Sequence, residues 1–193
     1  MTLIELEHSP SAYRLDFVLY GLTSLAMAAA LVFGSPAGSA WTLVAWVLAG
    51  GLRWTLAEYL LHRFVLHGVS PFKDWHAEHH RRPTALIGTP TWITATLFVT
   101  VAALPAWALL GAWPACALTF GLLTGYLVYG LTHHATHHGV PGLGRRSAWL
   151  ARRRRWHAQH HAARGAVLPG HYGVSLSLWD HAFGTLGGVS TRA

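Results

Sequence analysis

Histidine residues in three clusters are the chemically most informative feature of this sequence. The clusters hold twelve of the fifteen histidines, and each lies next to a hydrophobic segment. They are His62 and His67 with His76, His79 and His80; His133, His134, His137 and His138; and His157, His160 and His161. Neutral imidazole is the commonest metal ligand in proteins. So many imidazoles at ligand spacing predict a site for more than one metal ion.

The spacing H-x-x-H-H occurs twice, at His76–His80 and at His157–His161. On a helix that turns about 100° per residue, the first histidine of each triplet shares a face with the other two, which diverge from each other by about 100°. Such a triplet can reach two neighbouring metal ions. In the middle cluster a helix cannot direct all four side chains to one centre, and we expect His133 and His137 to be the ligands. The roles of His134 and His138 stay open.

His62 and His67 are five residues apart, which is about 140° around an ideal helix. They can converge only if the helix loosens between them; otherwise they serve different metal ions. Gly68 and the pair Ser70-Pro71 indicate that the helix ends here, which allows the first arrangement. Glu58 precedes His62 by four residues and is a candidate partner for its second ring nitrogen.

The donor set is entirely nitrogen, which argues against a structural zinc finger and a thiolate copper site. The single cysteine, Cys116, lies inside an apolar segment and excludes an intrachain disulfide. Neutral imidazoles leave the charge of the ions uncompensated, so bound oxide or hydroxide is expected. Two iron ions that activate dioxygen fit such a site. Zinc also binds it well, and the sequence does not decide between them.

The remaining chain is very apolar, with 52% hydrophobic and 11% charged residues, unlike an ordinary soluble domain. A bilayer span needs about 20 apolar residues. The segments that approach this length are 17–33, 41–61, 92–110 and 114–131. They predict an all-α integral membrane fold with four transmembrane helices in two hairpins. Residues 1–16 are a polar lead, and 17–193 form a single membrane domain. Cleavage of the first segment as a signal peptide is disfavoured by Glu5 and Glu7.

Basic residues indicate the orientation in the membrane. The fourteen Lys and Arg residues are Arg14, Arg53, those within 63–82 and those from Arg145 onward. The positive-inside rule then predicts that both termini and the middle loop face the cytoplasm. All three histidine clusters lie on that side, in a helical cytoplasmic cap that carries a dimetal site. Because a basic cluster beside a membrane contacts anionic headgroups, the net charge of +7 needs no nucleic acid.

In these residues the chain resembles the fatty acid hydroxylase superfamily of integral membrane non-haem di-iron enzymes, which includes sterol desaturase-type proteins. The resemblance runs from about Trp54 to Gly184. The motifs occur in the family's order, with two spans between the second and the third. They are His62-Arg-Phe-Val-Leu-His67, Trp75–His80, Tyr129–His138, Trp156–His161, and Tyr172-Gly-Val through Trp179-Asp180 to Phe183-Gly184-Thr185.

This resemblance implies ten metal ligands, which are His62, His67, His76, His79, His80, His133, His137, His157, His160 and His161. It also implies that Asp180, in the Trp-Asp-x-x-Phe-Gly-Thr ending, orients a ligand histidine or helps to balance the metal charge. A position in a surface loop is the alternative for Asp180. His171 and His181 lie near the same end and are candidates for contacts around the site; neither is assigned as a ligand, and their roles stay open.

The implied function is a membrane oxidoreductase that uses O2 and a di-iron centre to hydroxylate an aliphatic C–H bond of a lipid, fatty acyl or related. Some members of the resembled family carry a fused cytochrome b5 domain, and we do not expect one before Phe17. The resemblance then implies a separate electron donor, a ferredoxin or a cytochrome b5-type protein with its reductase. Carotenoid hydroxylases and lipid desaturases share this histidine chemistry and remain alternatives. A metal transport or storage protein is the alternative of another class. It is disfavoured because transport sites usually place ionisable residues at mid-membrane, whereas the histidines here lie in a compact set at the ends of the apolar segments.

Overall fold

The computed structural model describes residues 7–140, 147–163, 167–187 and 189–190. The first six residues of the predicted polar lead, and Arg145 and Arg146 of the basic region, lie outside these ranges. The described chain is helical, as predicted. Its strands are the pair β1 (Val167–Leu168) and β2 (Val189–Ser190), which run antiparallel.

The helices follow the hydrophobic and histidine-rich segments of the sequence closely. Helix α2 continues into a π-helical turn, Leu61–Leu66, and a second π-helical segment, Phe98–Ala103, separates α4 from α5. The helices are α1 (Pro10–Gly34), α2 (Ala40–Leu60), α3 (Phe72–Arg81), α4 (Thr91–Leu97), α5 (Leu104–Leu110), α6 (Ala112–His138), α7 (Ala148–Ala162) and α8 (Leu178–Ala182).

Three stretches in the described part of the chain are long and apolar enough to cross a membrane: Pro10–Gly34, Thr91–Leu110 and Ala112–His138. They correspond to the first, third and fourth predicted spans. Helix α2 covers the second predicted span but carries Arg53 and Glu58 and is not among the three. Four spans in two hairpins therefore remain a prediction.

The chain divides into two compact units. Unit 1 comprises residues 1–54 and 85–127. Here α2 and α6 touch through glycine, because a Cβ on Gly121 would lie 2.1 Å from the carbonyl oxygen of Val47. Small residues permit such close helix packing in membranes. Large apolar side chains face outward, with Phe33 86% and Leu109 82% exposed, which suits a surface covered by lipid.

Unit 2 comprises residues 55–84 and 128–193 and carries all three histidine clusters. Its elements are the end of α2, the π-helical turn, α3, the end of α6, α7 and α8. The interior contains Tyr59, Leu150 and Val174, but many of its buried side chains are polar or charged, His62, His160 and Asp180 among them. The interior of this unit therefore combines apolar side chains with many buried polar groups. The single membrane domain expected for residues 17–193 stays a prediction.

Candidate metal centre

The π-helical turn brings His62 and His67 together. Hydrogen bonds in a π-helix join residues five apart, so such residues lie on the same side. The ring centroids of His62 and His67 are 5.3 Å apart. Gly68 follows the turn, where a Cβ would lie 2.2 Å from the carbonyl oxygen of Phe64. The sequence left two arrangements open for His62 and His67. The structure has the first, in which the helix loosens and both histidines reach one centre.

Five imidazoles form what we call the first histidine group, and their donor nitrogens all lie within 4.8 Å of one another. The Nε2 atoms of His62 and His80 are each 3.0 Å from Nε2 of His76. Nε2 of His67 is 3.1 Å from Nε2 of His160. The members of the group are His62, His67, His76, His80 and His160.

Four further imidazoles, His79, His133, His137 and His157, form the second histidine group within the same limit of 4.8 Å. Nε2 of His137 is 2.8 Å from that of His157 and 3.3 Å from that of His133. His161 adjoins this group, with its Nε2 3.1 Å from Nε2 of His157. The ring of His161 also stacks on that of His80 at 4.1 Å, which brings the two groups side by side.

The structure thus gathers all ten of the implied ligand residues at two adjacent centres. Each H-x-x-H-H triplet divides between the centres, as its spacing predicts. His76 and His80 of α3 join the first group and His79 the second, while α7 contributes His160 to the first and His157 to the second.

Two members of the first group have a defined tautomer. Nδ1 of His62 is 2.7 Å from the carbonyl oxygen of Tyr172, and Nδ1 of His160 is 2.8 Å from that of Gly170. A carbonyl only accepts, so each Nδ1 carries the hydrogen and donates it. Each Nε2 then directs a lone pair into the group. This outer hydrogen bond is the usual companion of a metal-bound histidine.

Glu58 does not make the contact with His62 that its spacing suggested. Its side chain is buried and accepts hydrogen bonds from the backbone N–H of Ser175, at 2.8 Å, and from the Ser175 hydroxyl. His62 donates to Tyr172 instead. The prediction was wrong because a partner distant in sequence satisfies His62, and the carboxylate of Glu58 holds the same loop at another point.

Asp180 is fully buried, so its alternative placement in a surface loop is wrong. Its carboxylate accepts from the backbone N–H of Tyr172 at 2.9 Å, from that of Gly173 at 2.8 Å and from the hydroxyl of Thr185 at 2.7 Å. Within the described residues it makes no hydrogen bond to a histidine. Hydrogen bonds connect Asp180 to His62 through the backbone of Tyr172 and Gly173.

The other histidines lie outside both groups. His171 stacks on Trp156 at 5.2 Å, and its Nε2 accepts from the backbone N–H of Gly187 at 3.0 Å. His134 and His138 stack on each other at 4.6 Å, away from the ligand face of α6. His181 is exposed on α8. The choice of His133 and His137 over their neighbours agrees with this geometry.

The imidazoles of both groups are held in the neutral form. Burial, reinforced by the neighbouring histidines, lowers the pKa of His67 to about 4 and the pKa of His79 to about 3. The same causes lower the pKa of His80 to about 3, and burial lowers the pKa of His161 to about 4. Neutral imidazole is the form that binds metal, so the site is prepared for cations.

The donor atoms fit metal ions. Two nitrogens bound to one ion at about 2.1 Å, with angles between octahedral and tetrahedral, lie about 3.0 to 3.4 Å apart. The Nε2 pairs described above lie at 2.8 to 3.3 Å. Both nitrogens of His79 are buried without a hydrogen-bond partner in the described chain, and an unsatisfied buried polar atom costs about 1–3 kcal/mol. A metal ion bound by the second histidine group would supply a partner for one of these two nitrogens.

A helical fold with apolar, membrane-length helices and ten converging imidazoles defines a narrow class of protein. The family model for fatty acid hydroxylases matches residues 47–185, and the chain belongs to this family. The match confirms the resemblance found in the sequence motifs.

Individual relatives agree with the family match. Over 167 residues the chain is 33% identical to the dihydroceramide fatty acyl 2-hydroxylase FAH2 of Arabidopsis thaliana, which covers 76% of this chain and 62% of that protein. It is 30% identical over 151 residues to the fatty acid 2-hydroxylase of Homo sapiens, covering 72% of this chain and 38% of that protein. The chain thus spans less than two thirds of the length of these relatives.

A solved structure, described as full-length scs7p with only the hydroxylase domain visible, has a similar fold. The TM-score is 0.72 at 23% sequence identity, and the match covers 94% of this chain and 68% of that one.

Proposed function

We propose that this chain is a membrane-bound oxygenase that hydroxylates an aliphatic C–H bond of a lipid, with a fatty acyl chain as the group attacked. The observation that carries the proposal is the convergence of two groups of neutral imidazoles, whose Nε2 atoms face one another. Family membership and relatives named as fatty acid or fatty acyl 2-hydroxylases support it.

The ten converging histidines would hold two metal ions, with His161 completing the second histidine group. We propose that the ions are iron, because the reduction of dioxygen requires a redox-active metal and zinc has no redox chemistry. Bound iron would supply the activation of O2 and the oxidation of the C–H bond. Zinc would occupy the same nitrogens without supporting this reaction.

The side chains of the protein have three tasks in this reaction. Neutral imidazoles offer lone pairs to the ions, since burial keeps the pKa values of His79 and His80 at about 3. The hydrogen bonds of His62 and His160 to backbone carbonyls orient their rings. Burial of His160 and His62, 0% and 3% exposed, shields these two imidazoles from bulk water.

The overall reaction needs reductant as well as oxygen. One lipid C–H bond, O2, two electrons and two protons give the alcohol and one water. We propose that the electrons come from a separate ferredoxin or cytochrome b5-type protein with its reductase. The lipid substrate would come from the bilayer. The exposed apolar side chains of α1 and α5, such as Phe33 and Leu109, are suited to contact with lipid.

The membrane arrangement is part of the proposal. Helix α2 would cross the membrane in addition to the three long apolar stretches, which gives four spans. The histidine groups would lie on the cytoplasmic side. The basic residues that frame the clusters, Arg63, Arg81 and Arg82 among them, support this orientation under the positive-inside rule.

Lipid mass spectrometry under labelled dioxygen tests the proposed activity. Membranes from cells that express the chain are compared with membranes carrying His160→Ala, both grown under ¹⁸O2 with the electron donor co-expressed. We expect an acyl lipid that gains one ¹⁸O atom only with the wild-type protein. Loss of two hydrogens instead would identify a desaturase. Identical lipids in both strains, with metal bound to the wild-type protein, would contradict the oxygenase proposal.

A further inference from the structure

A buried loop, Gly170–Ser175, lies against the first histidine group; we call it the strap. All of its residues are buried, although loops normally run over the protein surface. A buried backbone must find partners for its N–H and C=O groups. Its partners include two histidines of the first histidine group and two carboxylates, and the N–H of His171 donates to the carbonyl of Thr185.

The histidine partners both belong to the first histidine group. The carbonyls of Gly170 and Tyr172 accept Nδ1–H from His160 and His62 respectively, at 2.8 and 2.7 Å. In the second histidine group the situation differs. The Nδ1 atoms of His79 and His157 are buried without a hydrogen-bond partner in the part of the chain that the structure describes. The two metal positions are therefore supported unequally.

The carboxylate partners hold the strap from behind. Asp180 accepts from the N–H of Tyr172 and from the N–H of Gly173, and Glu58 accepts from the N–H and the hydroxyl of Ser175. The N–H of Gly173 and the C=O of Tyr172 belong to one planar peptide unit. The N–H of this peptide thus donates to Asp180, while its C=O accepts a hydrogen bond from Nδ1–H of His62. Hydrogen bonds in such a chain strengthen one another.

We propose that Asp180 and Glu58 are positioning residues that act through the strap to orient His62 and His160, so that the first histidine group binds its metal ion more tightly than the second. This inference rests on the proposed function, since it presupposes that both groups bind metal. Loss of an outer hydrogen-bond partner of a metal-bound histidine lowers metal affinity about 10- to 100-fold.

Single-site backgrounds allow each group to be measured alone. His137→Ala disables the second group, and His67→Ala disables the first; neither residue hydrogen-bonds to the strap among the described contacts. The affinity of the purified protein for Co²⁺ is measured in each background by competition with a chromophoric chelator. We expect the first group to bind Co²⁺ about 10-fold or more tightly than the second.

Asp180→Asn is the main variant, because an amide has one accepting oxygen and cannot satisfy two backbone N–H groups and a hydroxyl. We expect it to lower Co²⁺ affinity about 10- to 100-fold in the His137→Ala background. In the His67→Ala background we expect little change. Equal losses in both backgrounds, or no loss in either, would overturn the inference.

Two further variants separate strap geometry from charge. In Gly173→Ala the carboxylate of Asp180 remains, but the new Cβ would lie 1.9 Å from the carbonyl oxygen of Leu176 and displace the strap. We expect the same selective loss as with Asp180→Asn. In Glu58→Gln the amide can still accept from the Ser175 N–H and donate to its hydroxyl, so affinity should stay close to wild type, whereas Glu58→Ala should lose it. Retention of affinity in Gly173→Ala would overturn the strap mechanism.

Failure of the inference and failure of the proposed function are distinguishable. A wild-type chain that binds no Co²⁺ at either group would refute the metal centre on which the proposed function rests. A wild-type chain that binds two ions, with Asp180→Asn unchanged in both backgrounds, would refute the strap inference alone.

Discussion

The orientation of single imidazole rings determines what this site can bind. His62 and His160 donate from Nδ1 to backbone carbonyls, so their Nε2 lone pairs are available to a cation. Burial lowers the pKa values of the other imidazoles, that of His79 to about 3 among them. A cluster of this kind disfavours protonation and offers nitrogen lone pairs that could bind metal ions. The residues that form it should therefore be individually indispensable.

His79→Ala and His160→Ala remove one donor from the second and the first histidine group respectively. We expect each to reduce hydroxylation to background, about 100-fold or more, because loss of a supporting contact alone costs 10- to 100-fold. We also expect metal content, measured by mass spectrometry of the purified protein, to fall from two ions per chain towards one.

His8→Ala is the matched control for these variants. His8 Nε2 donates to the carbonyl of Gly88 at 3.2 Å, outside both groups, as expected for a hydrogen-bonded polar residue. Activity and metal content should be unchanged. Wild-type metal content in both ligand variants would refute the assignment of the ten histidines.

At the scale of elements, two of the histidine-bearing helices contribute to both histidine groups. α3 and α7 divide their H-x-x-H-H triplets between the groups, and the π-helical turn after α2 directs His62 and His67 to the first. In unit 1 the glycines play a comparable part for packing. Gly50 and Gly121 let the backbones of α2 and α6 approach each other, where a Cβ would lie 2.2 and 2.1 Å from a carbonyl oxygen.

Gly121→Ala should destabilise the protein, because the helices must separate to admit the methyl group. Overpacking of this kind costs about 1–3 kcal/mol. We expect a lower melting temperature in detergent, measured by intrinsic tryptophan fluorescence. Gly21→Ala is the control, since no atom lies within 4 Å of its Cβ position and alanine favours the helix. Equal melting temperatures for the two variants would contradict the close contact.

At the scale of the molecule, the two units use different means of stabilisation. Unit 1 presents apolar side chains outward, as a membrane-embedded unit would. Unit 2 buries histidines, Glu58 and Asp180 around the proposed metal centre. Metal ions that bind only the folded state stabilise it in proportion to the logarithm of their concentration over the dissociation constant.

Removal of metal should therefore loosen unit 2 in particular. A ligand present at about 1,000 times its dissociation constant contributes roughly 4 kcal/mol, which chelation would withdraw. We expect chelator treatment to make residues 128–140 and 147–163 sensitive to protease, while unit 1 in detergent stays protected. Peptide mapping by mass spectrometry provides the measurement. A chelator effect of the same size in the double variant His67→Ala, His137→Ala would show that it does not act through this centre.

The topology of the whole chain can be tested by labelling. In a Cys116→Ser background, single cysteines replace Ser39, between α1 and α2, and Ser70, between α2 and α3. If α2 crosses the bilayer, a membrane-impermeant maleimide should reach Ser39→Cys only from outside and Ser70→Cys only from inside. Labelling of both from the same side would show that α2 does not span the membrane.

Local patterns in the sequence determined the helices and the set of chemically active residues. Helix α3 runs from Phe72 to Arg81 and α6 ends at His138, directly before Gly139, because helix-breaking residues act within a few positions of the chain. The family resemblance came from the histidine boxes, whose spacing is equally local. The division of each triplet between two centres follows from helix geometry alone.

The tertiary structure decided how the site is supported. The carbonyl that accepts the hydrogen bond of His62 belongs to Tyr172, 110 residues away in the sequence. Glu58 accepts a hydrogen bond from Ser175, 117 residues away in the sequence. No periodicity encodes such pairings, since they arise only when the chain packs and each buried polar group finds a partner. The sequence therefore placed Glu58 beside His62 by its helical spacing, whereas the folded chain uses Glu58 and Asp180 to hold the loop that orients the ligands.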